Sequence, residues 1–132
     1  MPYLLDANTL SDLMRNPGGR VAGRIARARE DQVCTSIIVV AEVRYGITKV
    51  RSRRLAAQLT AILRGMEVFA FEAPADSAYA DLRAKLERAG TPIGANDMLI
   101  AAHALTLNST LVTDNEREFS RVPGLAIENW LR

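Results

Sequence analysis

Short apolar runs alternate with longer amphipathic stretches along this 132-residue chain, a pattern that predicts strands interleaved with helices. Tyr3-Leu4-Leu5 reads as a short buried strand ending at Asp6. Asn8 or Thr9 is placed to cap a helix running through Asn16, and Pro17-Gly18-Gly19 breaks it. From Arg20 to Glu30 a second helix sets Val21, Ile25 and Ala28 on one face and Arg20, Arg24 and Arg27 on another. Val33 to Ser36 forms a second strand, with Ser36 as cap for a helix that turns Val39, Val40, Val43 and Ile47 inward. That helix puts Glu42 and Tyr45 about one turn apart. Gly46 inside it suggests close packing or a bend.

The stripe Leu55, Leu59, Ile62 and Leu63 predicts a helix over 51–66 that ends near Gly65, with Val68 to Phe71 as a third strand. Pro74 suits the first turn of a helix carrying Ala78, Leu82 and Leu86 and closing at Gly90. A loop, 91–95, leads to Asn96-Asp97, where a helix begins that is apolar almost all round and therefore central. Thr110 to Thr113 is a fourth strand ending at Asp114-Asn115. A short helix around Phe119 and a fifth strand, Leu125 to Ile127, precede Trp130. The alternation predicts an α/β sandwich on a mostly parallel, roughly five-stranded sheet, as a single domain over 1–132.

In such a sheet, ligands bind beyond the carboxyl ends of the strands, where strand order reverses. Asp6 and Asp114 fall at the carboxyl ends of the first and fourth strands. Asp97 opens the central helix that feeds the fourth, and Glu42 lies a turn into the helix after the second. The topology thus collects four acids at one edge. Like charges held together repel, so a cluster of this kind calls for a cation. Oxygen donors without histidine or cysteine select hard ions, Mg²⁺ or Mn²⁺ over Zn²⁺, and Mg²⁺ chemistry suits phosphodiester hydrolysis. Asp6 and Asp97, fixed at element ends, are expected as direct ligands. Glu42 would ligate through water or take a proton from the attacking water, and Asp114 would complete a weaker position. Each also has a structural alternative: Asp6 or Asp97 as a helix cap, Glu42 paired with an arginine such as Arg44, Asp114 in a turn.

Composition narrows the partner. Hydrophobic residues make up 48% and charged residues 24%, so the chain is globular in character. The net charge of +2 conceals a basic segment, because 15–54 carries ten basic residues against three acids, a local net of +7. Arginine outnumbers lysine fifteen to two. Guanidinium forks bind phosphates bidentately and stack on bases, so the arginine-rich helices are expected to steer a nucleic-acid backbone. No run is long enough to cross a membrane, and no signal-like apolar core precedes Asp6. The lone Cys34 reads as a buried strand thiol and fits a reducing cytoplasm. One histidine, His103, cannot supply an acid–base pair. It is expected in the core or at a dimer surface, away from the acid edge.

Four blocks carry a family resemblance: Tyr3-Leu4-Leu5-Asp6-Ala7-Asn8, Val40-Ala41-Glu42-Val43-Arg44-Tyr45-Gly46, Asn96-Asp97-Met98-Leu99-Ile100-Ala101-Ala102, and Leu111-Val112-Thr113-Asp114-Asn115 followed by Phe119. In order and spacing the chain resembles the PIN-domain ribonucleases. Its tail, Arg121 to Leu125 and Glu128-Asn129-Trp130, is similar to the VapC toxin branch, FitB-like members included. The resemblance implies a PIN-like three-layer α/β/α sandwich and a Mg²⁺-dependent endoribonuclease. It also implies the toxin of a type II toxin–antitoxin pair, homodimeric and cytoplasmic, cutting RNA such as tRNA. A VapB-type antitoxin would restrain it and mediate any contact with operator DNA, and the helical pair carrying Leu55, Leu59 and Ile62 would help form the groove that receives the antitoxin and part of the dimer contact. At the fourth acid position the family often has an acid or asparagine two residues after the threonine. Here that residue is Asn115, with Asp114 one earlier. Two other readings stay open at this point: a FitB-like subunit of a DNA-binding complex with weak or no nuclease activity, and a PIN-type nuclease acting on DNA.

Overall fold

The computed structural model describes residues 2–132, apart from the side chain of Glu30. In chain order it contains β1 (Tyr3–Leu5), α1 (Ala7–Arg15), α2 (Arg20–Ala28), a 3-10 turn (Glu30–Gln32), β2 (Val33–Ser36) and α3 (Ile37–Val50). Then follow α4 (Arg53–Arg64), β3 (Glu67–Phe69), α5 (Ala75–Arg88), α6 (Ala95–Thr106), β4 (Thr110–Val112), α7 (Glu116–Phe119) and β5 (Ile127–Glu128). The five strands form one sheet in the order β3-β2-β1-β4-β5, every pair parallel. Helices cover both faces, giving the three-layer α/β/α sandwich expected from the alternation.

Strand order reverses beside β1, which pairs with β2 on one side and β4 on the other. Chain segments leaving β1 and β4 must diverge there, and the crevice they leave sits beyond Leu5 and Val112. Buried hydroxyls hold this crevice in shape. Thr35 Oγ1 donates to the Leu5 carbonyl at 2.8 Å, and Thr9 Oγ1 donates to the Val112 carbonyl at 3.0 Å. The Asp6 amide donates to the same Val112 oxygen at 2.9 Å. The central strands are buried on both faces, as parallel strands between two helical layers must be: Leu4, Leu5, Leu111 and Val112 have no exposed surface.

The helix starts depart from the sequence expectation in instructive ways. Asp6, the alternative cap, rather than Asn8 or Thr9, caps α1, its Oδ1 accepting from the Ala7 amide at 2.8 Å. Thr9 is fully buried because its hydroxyl is needed on the strand. Ser36 caps α3 as expected, but α4 begins two residues late, with Ser52 as its cap and Arg51 left-handed (φ 52°) at the preceding corner. Gly94 rather than Asp97 caps α6, so Asp97 lies inside the first turn and does no capping. Strand β3 starts and ends early, and β5 is shifted to Ile127–Glu128. Register with β2 and β4, not local propensity, sets those limits.

His103 is in the core as expected, 2% exposed, with Nδ1 2.7 Å from Ser36 Oγ and its ring edge-on to Phe71. Through Ser36 it reaches the carboxyl end of β2, nearer the acid edge than the sequence suggested. Burial lowers its pKa, which favours the neutral ring. Cys34 is a buried free thiol, pushed up to about 11 by burial and by Glu67. No described helix is long and apolar enough to cross a membrane.

Candidate metal centre

Asp6 is the anchor of the crevice. Its carboxylate is 6% exposed and bonded at both oxygens: Oδ1 to the Ala7 amide, Oδ2 to Thr113 Oγ1 at 2.8 Å. Thr113, itself fully buried, accepts in turn from the Asn115 amide at 3.0 Å. A strand end, a helix cap and a second strand end therefore fix one side chain. Burial raises the Asp6 pKa, the Thr113 and Ala7 hydrogen bonds oppose the rise, and the charges of Asp114 and Glu118 add to it.

Glu42 and Asp97 face Asp6 from α3 and α6. Burial raises the Glu42 pKa, and Asp6 raises it further while a hydrogen bond from Asn96 opposes. Glu42 Oε1 is buried with no hydrogen-bond partner among the described residues. Asp97 is half-buried and pushed up to about 7, first by burial, then by a hydrogen bond and repulsion from Glu118, then by the charges of Asp6 and Glu42. Three of the four acids expected from the sequence thus share one field, although they come from chain positions 6, 42 and 97.

Asp114, the fourth, lies at the same edge but on its rim. Its side chain is exposed and accepts from Asn8 Nδ2 at 2.9 Å. Asn115 turns elsewhere, donating through Nδ2 to Glu118 Oε2 at 2.6 Å. Glu118, which the sequence reading passed over, occupies the inner place. Besides Asn115 and Asp97, its Oε1 accepts from the Gly94 amide at 2.9 Å. These bonds hold its pKa low while Asp97 keeps the shared proton. The missed signal was spacing: Glu118 lies one turn past Asn115 on α7, so a helix starting at Glu116 turns it back over the crevice. A Cβ at Gly94 would stand 3.5 Å from Asp97 Oδ2, an ordinary van der Waals contact, so the loop backbone runs directly against this pair.

The donors are all oxygens, and they are short of positive partners. Among the described residues no group of three or more His, Cys, Asp or Glu side chains forms a ready-made metal cage. Mg²⁺ does not require one, because it keeps several waters and takes one or two carboxylates directly. An orphaned buried carboxylate oxygen, an Asp driven to about 7 and an oxygen-only donor set fit a hard divalent cation.

Comparison with known proteins places this arrangement in a family. The PIN domain model matches residues 3–125. The chain is 37% identical to Ribonuclease VapC2 of Rickettsia felis, over 98% of each chain. It is 33% identical to the tRNA(fMet)-specific endonuclease VapC of Salmonella typhimurium, again over 98% of each. A solved structure of VapBC2 from Rickettsia felis, bound to a DNA fragment from their promoter, superimposes with a TM-score of 0.89. That match has 35% identity and covers 98% of this chain and 99% of the other. With the parallel sheet, the crevice beside β1 and the ordered blocks all matched from end to end, this chain belongs to the PIN domain family.

Proposed function

We propose that this protein is a VapC-like endoribonuclease toxin that uses a divalent cation, Mg²⁺ with Mn²⁺ as substitute, to cut RNA of the tRNA class. The observation that carries the reading is the orphaned Glu42 Oε1 beside the raised Asp97: the site gathers negative charge that its own residues leave uncompensated. Asp6 and Asp97 would hold the cation directly, with Glu42 and Asp114 reaching it through water and Glu118 orienting Asp97. When bound, the cation neutralises the phosphodiester and makes the attacking water more acidic. Glu42 takes the proton of that water, for which its raised pKa suits it better than an ordinary carboxylate. Asp6, locked by Thr113 and Ala7, cannot swing away and so sets the position of the reacting centre.

A VapB-type antitoxin is the expected partner, since the related VapBC2 chains were solved as a complex on promoter DNA. An apolar cavity of about 250 Å³ between α1, α2 and α4, walled by Leu13, Ile25, Ile62 and Met66, suits a helical segment of such a partner. Leu55 and Leu59 of the same helix are buried core. We include a homodimer in the proposal, for which α3 offers exposed Ile37, Tyr45 and Val50. The promoter-bound relative also favours a second reading, a regulatory subunit with weak or no nuclease activity.

Calorimetric titration with Mg²⁺ and Mn²⁺, followed by sequencing of RNA ends after brief induction, separates the two. Metal binding that disappears in Asp97→Ala, together with discrete new tRNA ends, is expected. Growth arrest by a folded Asp6→Ala or Asp97→Ala protein would remove the nuclease assignment.

A further inference from the structure

Outside the acid crevice, the strongest charged feature is a trough along α2. Arg20, Arg24 and Arg27 line one wall, and Arg132 closes the far side. The floor is built from glycines, and a Cβ added at Gly18 or Gly23 would meet nothing within 4 Å, so the space above them is open. Its volume is about 590 Å³. A neighbouring hollow of about 480 Å³ shares Gly18, Gly19 and Arg20 and adds Arg15 at the end of α1.

The arginines are not equivalent. Arg24 is fixed, its Nη2 3.1 Å from Glu128 Oε1 and its guanidinium 5.4 Å from the centre of the Trp130 ring. Arg20 and Arg27 are exposed, and no carboxylate among the described residues pairs with them. Arg132 is 3.3 Å from Glu116, the first residue of α7, and Asn129 holds the same Glu116 oxygen at 3.1 Å. Arg132 thus ties one end of the trough to α7, the helix that also carries Glu118.

We infer that this trough binds the phosphate backbone of the RNA flanking the cleavage position. The inference rests on the ribonuclease reading above. Along α2, Arg20 and Arg27 are separated by about 10 Å at roughly 1.5 Å per residue, far enough apart to meet two different phosphates of one strand. Two free guanidiniums, Arg20 and Arg27, on one helix face over an open glycine floor suit a chain of anions. A protein segment would need an apolar anchor pocket, and the one aromatic ring here, Trp130, is 1% exposed and covered by Arg24. The whole-segment charge of 15–54 had suggested nucleic acid without selecting a surface. The fold selects this one.

The test uses full-length protein with EDTA, so that RNA is bound and not cut, and reads fluorescence anisotropy of a labelled tRNA across salt concentrations. Arg20→Ala/Arg27→Ala is expected to weaken binding about tenfold or more and to lower the log–log salt slope by about two, one per lost phosphate contact. Gly23→Glu, which has room for its side chain and gains helix propensity, should weaken binding at least as much. Lys85→Ala/Arg88→Ala, an equal charge change on exposed positions of α5, should leave affinity and slope within twofold of wild type. With metal restored, the trough variants should raise KM and keep kcat. Unchanged affinity in both trough variants, or equal losses in the α5 control, overturns the trough. So does retained tRNA affinity with lost binding of polyglutamate, which would make it an acidic-peptide site. If the wild type cleaves RNA but the trough variants bind normally, only the trough fails. If the wild type neither binds nor cleaves RNA, the ribonuclease reading fails with it.

Discussion

On the strand side of the crevice, Asp6 has both oxygens bonded, to Ala7 and to Thr113, and both donors belong to rigid element ends. On the helix side, Asp97 shares a proton with Glu118, while Glu42 buries an oxygen that no described residue bonds. The first arrangement is complete in the protein alone. The second is incomplete, and its acids sit near enough to raise one another's pKa values. A site built this way holds one ligand position still and leaves the others to be finished by what binds.

The comparison breaks most visibly at Asp6. Asp6→Asn keeps the shape and can still accept from Ala7 through its one oxygen, with its amide nitrogen turned to donate to Thr113 Oγ1, yet it removes the fixed negative charge. RNA cleavage should fall on the order of 10³-fold while the melting temperature in EDTA holds or rises, because a buried repulsive charge has gone. A large drop in melting temperature would mean that the charge is structural, and the contrast between the two sides would collapse.

The helix side should reveal itself through pH. Folded Asp97, pushed up to about 7 by burial and Glu118, keeps a proton that an unfolded Asp at its ordinary 3.8 has released. Between those values the folded chain binds more protons, so stability in EDTA should decline as pH rises from about 4 to 7. Melting curves across that range check the sign. Asp97→Asn should flatten the decline, and so should saturating Mg²⁺, which favours the deprotonated form. A decline of equal steepness in Asp97→Asn would place its origin elsewhere.

Finer still is the pair Thr113→Val and Asp114→Asn. The first strips the donor from Asp6 and the acceptor from the Asn115 amide, both buried, and should cost about 1–3 kcal/mol in denaturant unfolding and roughly 10–100-fold in activity. The second alters an exposed rim carboxylate held by Asn8, and should shift stability by about 0.5 kcal/mol or less and cleavage only a few-fold. Equal losses from the two would restore Asp114 to the inner site.

Strand and helix order, the buried α6, the cap at Ser36 and the convergence of Asp6, Glu42 and Asp97 were legible in the sequence. Each is dictated by local patterning or by the rule that parallel strands deliver their carboxyl ends to one edge. Element limits were less legible, since β3 and β5 stop where register with β2 and β4 stops. Local chemistry also misled at the first helix: Asn8 and Thr9 are good capping residues, but Thr9 is claimed by the Val112 carbonyl and Asp6 takes the cap itself.

The sequence by itself determined the alternating architecture, the oxygen-only chemistry and an arginine excess suited to phosphate. Those follow from residue type and period, which need no knowledge of distant neighbours. Only the tertiary structure decided that Glu118, rather than Asp114 or Asn115, turns inward, and that Arg20 and Arg27 stand unpaired beside a glycine floor while Arg24 is tied to Glu128. Such choices depend on which side chains the packing of helices on the sheet brings within hydrogen-bond reach, as Arg24 and Glu128 meet across 104 positions of chain. Adjacent positions such as 114 and 115 differ in direction, not in composition, and direction is fixed by the fold.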